Sequence, residues 1–138
     1  MVPRALRVVA LIHWAGGVLA AAGIVVNLFH DRLFLDLDLL GIPIYYGLLR
    51  LSSGWRTCAL VFLWGDLIAT PLMFLVGLVG KPPAFVLVLG VRLESISPVW
   101  MSVLAVPAFI LALWQYRVLT RPEIRSLFTS AARAEASR

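Results

Sequence analysis

Four long apolar stretches take up most of this chain, and the arginines collect at their ends. The stretches run from about Val8 to Leu28, Leu39 to Leu49, Thr57 to Val79 and Val99 to Val118. A spanning helix needs about 20 mostly apolar residues, so four such blocks with short connections use up the 138 residues. The pattern predicts an all-α membrane protein, a four-helix transmembrane bundle forming a single domain over residues 1–130, with a flexible cytoplasmic tail over 131–138.

Composition supports the same class. Hydrophobic residues make up 62% of the chain and charged ones 14%, and mean hydropathy is +0.96. Ordinary soluble domains hold about 45–50% apolar residues, and a soluble fold of this size cannot hide the excess. The net charge of +5 would suit nucleic acid, but eleven arginines and one lysine spread along apolar flanks make no basic face with interleaved aromatics. No nucleic-acid partner is expected. Cys58 is the single cysteine, so no intramolecular disulfide forms, and its position inside a span suits a small packing residue.

The first block follows Arg4 and Arg7 and resembles the start of a secretory signal, with Ala20-Ala21-Ala22 as a cleavage-like stretch. Its roughly 21 apolar residues exceed the 7–15 of a signal core, so a first transmembrane helix is expected. The second block is weak: eleven residues between Asp38 and Arg50 reach only about 16 Å at helical rise, against a core of about 30 Å. Upstream, residues 33–38 alternate apolar and acidic side chains, which predicts an extended approach ending with Asp38 as N-cap and Pro43 in the first turns. Gly80-Lys81-Pro82-Pro83 ends the third block, and Pro107 is expected to kink the fourth.

Residues 84–96 are apolar but too short to span, and alternation in their second half predicts two short strands bending near Gly90. Together with residues 33–37 they would form a small extended or β cap on the outer face; an irregular interfacial loop is the alternative. Beyond the fourth block, Arg117, Arg121 and Arg125 alternate with Leu119, Ile124, Leu127 and Phe128. That spacing predicts a short C-terminal amphipathic helix, with Pro122 at its first position.

Orientation follows from the charges. With four crossings, one side carries Arg4, Arg7, Arg50, Arg56, Arg117, Arg121, Arg125, Arg133 and Arg138, and the other Arg32, Lys81 and Arg92. The bias predicts two cytoplasmic termini. Arg50, Arg56, Arg117, Arg121 and Arg125 would then meet anionic headgroups on the inner side.

The conspicuous polar residue is Asp66, about 15 Å beyond Arg56 along the third helix and therefore near the bilayer midplane. It shares a stripe with Ala59, Phe62, Thr70, Met73 and Gly77, while the first helix carries His13, Gly17, Ala20, Ile24 and Asn27 on one side. Small and polar faces of this kind pack inward. Asp66, His13, Tyr45 and Tyr46 therefore form a candidate cluster, either for protons or substrate or simply as interhelical hydrogen bonds that fix helix rotation. Gln115, near the inner interface, reads as solvated, and Asn27 as a helix cap. Asp31, Asp36 and Asp38 with His30 invite a metal-site reading on the outer side, but a solvated loop explains them better, and no metal or other cofactor is expected. Phosphate loops, nucleophile elbows, zinc-protease motifs and cysteine pairs do not occur in the sequence.

Gly47-Leu48-Leu49-Arg50 followed by Gly54-Trp55-Arg56, and the run Trp114-Gln115-Tyr116-Arg117-Val118-Leu119-Thr120-Arg121-Pro122-Glu123-Ile124-Arg125, resemble a family of small uncharacterised bacterial inner-membrane proteins with four spans. The resemblance covers under a fifth of the chain. It implies topology and a bacterial inner (plasma) membrane, and no activity. The expected function is a non-catalytic polytopic membrane protein that binds a partner subunit, lipid or further copies of itself. The alternative is a small oligomeric transporter with a proton or substrate site at Asp66.

Overall fold

A computed structural model of the chain describes residues 2–29, 36–78, 85–88, 91–94 and 98–137. Helix α1 runs from Arg4 to Leu28, a 3-10 turn from Leu37 to Leu40, α2 from Gly41 to Leu49, α3 from Ser53 to Leu78, α4 from Pro98 to Thr120 and α5 from Pro122 to Ala136. Strands β1, Phe85–Val88, and β2, Val91–Glu94, form an antiparallel pair with Val88 opposite Val91.

Three of these helices, α1, α3 and α4, are long and apolar enough to cross a membrane. The second block departs from the expected four-helix bundle: its helical stretch is Leu37–Leu49 and no longer. The local sequence accounts for this. Asp36 is extended, and its carboxylate accepts a hydrogen bond from the Asp38 backbone N–H at 3.0 Å. Asp36 is therefore the N-cap, where Asp38 was expected, and the turn opens with Leu37. The expected extension of residues 33–37 is thus not met at Leu37, and residues 33–35 lie outside the described residues. Among the described residues, the sheet contains β1 and β2 alone.

Helix α2 ends in a Schellman arrangement, with Ser52 N–H donating to Gly47 O at 3.0 Å and Leu51 N–H to Leu48 O at 3.2 Å. Leu51 takes the left-handed conformation at φ 56°, a position glycine usually fills, and packs its side chain against the core. The reversal turns the chain into α3, and α2 itself lies against α1. Two glycines let the backbones touch: a Cβ on Gly41 would overlap the His13 carbonyl, and one on Gly17 would stand 2.8 Å from Ile42 N. At the other end of α2, a Cβ on Gly47 would run into the Trp55 ring of α3.

The buried core lies at one end of the molecule. Leu6 and Val9 of α1, Ile44 and Leu48 of α2, Ala59 and Leu63 of α3, Val118 and Leu119 of α4, and Ile124 and Phe128 of α5 form one cluster. Phe128 is fully buried, so the apolar side of α5 is docked on the bundle. Arg56 fastens the same corner: its Nε donates to the Leu119 carbonyl at 3.1 Å, and its guanidinium lies 5.8 Å from the centre of the Phe128 ring. Helix α5 continues to Ala136, so residues 131–136 are helical where a frayed tail was expected. Away from this corner the long helices are largely uncovered; Val25, Val26, Ile68, Leu72, Val103 and Ile110 are all more than half exposed. Apolar exposure along whole helices is what a lipid-facing surface requires.

Candidate functional site

A cavity of about 690 Å³ lies between α1, α3 and α4, with the start of α2 beside it. Its polar lining consists of His13 from α1, Asp38 from the 3-10 turn, Asp66 and Thr70 from α3, and Gln115 from α4. The remaining wall is mainly Ala, Leu, Met and Phe. Each acid is placed by a separate device. Asp66 follows from helical periodicity, about 20 Å beyond Ser53. Asp38 is brought to a similar height by the glycine contacts between α1 and α2, since Gly17 lies about 20 Å from Arg4 and a Cβ there would stand 3.3 Å from the Asp38 carbonyl oxygen. Asp38 and Asp66 thus line the same cavity.

His13 is buried, and its Nδ1 lies 3.0 Å from the Val9 carbonyl oxygen. A carbonyl can only accept, so Nδ1 carries the proton and Nε2 is the ring's free acceptor while the ring is neutral. Asp66 is exposed to the cavity. Among the described residues no hydrogen bond reaches its carboxyl group, although a donor from a neighbouring helix was expected. Leu63 and Ala112, members of the core cluster, close the cavity toward the buried end of the bundle.

The expected cluster is brought together in part. His13 and Asp66 line one cavity; Tyr45 and Tyr46 do not. Tyr45 packs with Trp14, ring centres 6.3 Å apart, and stands edge-on to Tyr46 at 5.0 Å, so the two tyrosines form an aromatic stack on the flank of α2. Asn27 was expected as a cap, and its side chain instead donates back to Gly23 O at 2.8 Å. Arg50, Arg117, Arg121 and Arg125 are exposed, whereas Arg56 is half-buried and tied to Leu119. Among the described residues no three His, Cys, Asp or Glu side chains converge for a metal; His30 and Asp31 lie outside them.

Sequence reasoning missed two residues of the site. Asp38 was assigned to a cap, and its only signal was a carboxylate at the start of a helix too short to span. Gln115 reads as solvated from the sequence, yet it is 5% exposed and its Oε1 is buried without a hydrogen-bond partner. Helical spacing from Ala108 and Leu111 through Ala112 to Gln115 was the available signal, because it sets the amide on the face that lines the cavity. No family model, curated protein or solved structure matches the chain.

Proposed function

We propose that the protein is a polytopic integral membrane protein of a bacterial inner membrane, with both termini cytoplasmic, and that the cavity at Asp66 binds a proton or small solute in transit across the bilayer. Three long apolar helices support the membrane assignment. The nine-to-three distribution of basic residues supports the orientation, and the four-span resemblance supports the inner membrane. In this reading the chain crosses four times. The helical part of the second crossing, Leu37–Leu49, reaches about 20 Å and cannot fill a core of about 30 Å by itself.

The observation that carries the reading is that Asp38, Asp66 and His13 line one cavity, at the middle height of α1 and α3. A carboxyl group at that depth costs about 2.5–3.5 kcal/mol on insertion scales. An acid kept only to fix helix rotation would hold a donor on the next helix. Asp66 instead opens into the cavity, which favours transport over the purely structural role. A specific observation also supports lipid binding as an accessory property: α5 docks Ile124 and Phe128 while Arg121, Arg125 and Arg133 stay exposed, the arrangement of a helix lying against anionic headgroups.

Proton flux in liposomes containing the purified protein tests the proposal. Asp66→Asn should keep the fold and remove pH-driven flux, because an amide cannot titrate. Unchanged flux with altered co-purification of a membrane protein would favour the non-catalytic partner-binding role.

A further inference from the structure

We infer that the solute taken up by this cavity is a protonated, partly apolar amine, a reading that rests on the cavity being a solute site. Asp38 and Asp66 contribute carboxylates, and His13, with Nδ1–H committed to Val9 O at 3.0 Å, contributes only the lone pair of Nε2. Gln115 adds an independent sign of a missing partner: the residue is 5% exposed, and its Oε1 is buried without a donor. A buried acceptor without a donor costs free energy until one arrives. Among the described residues no lysine or arginine lines the cavity. The ligand must therefore supply both positive charge and N–H donors.

The rest of the wall narrows the class. It is mostly carbon, with Phe62, Leu104 and Met73 among its larger side chains. The volume of about 690 Å³ falls within the range of about 300–1,000 Å³ typical of small-molecule sites. A bare divalent cation is a poorer match, because among the described residues no three His, Cys, Asp or Glu side chains come close enough together to hold one. A quaternary ammonium has no N–H for Gln115 or His13 and is best held in an aromatic cage, whereas Phe62 is the one aromatic residue of the lining among the described residues. An ammonium group brings three donors and one charge on an apolar body, which matches both parts of the wall.

Calorimetric titration of the full-length protein in nanodiscs tests this with three probes of like size: 4-phenylbutylamine, 4-phenylbutan-1-ol and 4-phenylbutyltrimethylammonium. The amine should bind about tenfold more tightly than either of the others, the ratio expected for a charge-assisted hydrogen bond. Asp66→Asn should weaken it about tenfold or more, Asp66→Glu should restore most of the affinity, and Gln115→Leu should weaken it severalfold. The glutamate variant separates loss of charge from a folding defect. Equal binding of amine and alcohol, or amine affinity unchanged in Asp66→Asn, overturns the inference. If the amine fails to bind while proton flux still depends on Asp66, only the amine assignment falls; if flux is also independent of Asp66, the transport reading falls with it.

Discussion

Gly41 sits so close to the main-chain carbonyl of His13 that a Cβ would overlap it. This contact holds the start of α2 against the middle of α1 and thereby sets Asp38 on the cavity. Gly41→Ala should lower stability by about 1–3 kcal/mol, the usual cost of overpacking where backbone must move. Gly65→Ala, where nothing lies within 4 Å of the added methyl, should be neutral or stabilising because alanine favours the helix. Thermal unfolding of both variants in one detergent checks the pair; equal melting temperatures would show that the α1–α2 contact is loose.

Gln115 carries a buried Oε1 with no donor. Gln115→Leu should therefore stabilise the ligand-free protein by about 1–3 kcal/mol, the cost of leaving such a group unsatisfied. A gain in stability with weaker ligand binding is the signature of a residue kept for a ligand. A loss of stability would mean that the amide supports the bundle itself.

Phe128 and Arg56 fix α5 to the end of α4. Phe128→Ala should cost about 3–5 kcal/mol of local docking energy and open α5 to trypsin at Arg125 and Arg133, which are already exposed. The measurement is limited proteolysis in detergent, and cleavage rates equal to those of the parent protein would contradict the docking.

Both termini are expected in the cytoplasm. Alkaline phosphatase fused after Arg138 should be inactive, since the enzyme matures only outside the cytoplasm, and a fluorescent protein fused there should glow. The reverse pattern would overturn the orientation and the assignment of the arginine-rich side.

The long helices were legible because their signals are local: apolar length, flanking arginine and the Pro122 start of α5 are all written within a few residues. Asp66 was legible as well, because one acid in a span stands out and its place along the helix follows from a constant rise. The companions of Asp66 were not legible. Asp38 reaches the cavity through Gly17 and Gly41, and a glycine's permission for close approach does not say which helix will use it. Tyr45 and Tyr46 are near in sequence to the expected level, but helical phase turns Tyr45 toward Trp14, with Tyr46 edge-on to Tyr45. Gln115 lies two residues from Arg117 at the inner interface and so reads as solvated, whereas its burial depends on how α1 and α3 close around the cavity it lines. Arg56 looked like one more headgroup contact, and its tie to Leu119 spans 63 residues, a separation that no local pattern reports.

On the reading proposed above, the cavity beside Asp66 admits solutes and favours cations. This is tested most directly by placing one thiol there, with Thr70→Cys in a Cys58→Ser background, because Thr70 lines the cavity and leaves Asp38 and Asp66 intact. Modification rates with small methanethiosulfonate reagents, one bearing an ammonium and the other a sulfonate, are compared with the rates on free cysteine. The account predicts that the introduced thiol reacts and that its cation-to-anion rate ratio exceeds that of free cysteine about tenfold, falling when Asp66→Asn is added. A thiol that neither reagent modifies, or that the sulfonate modifies as fast as the ammonium, would contradict it.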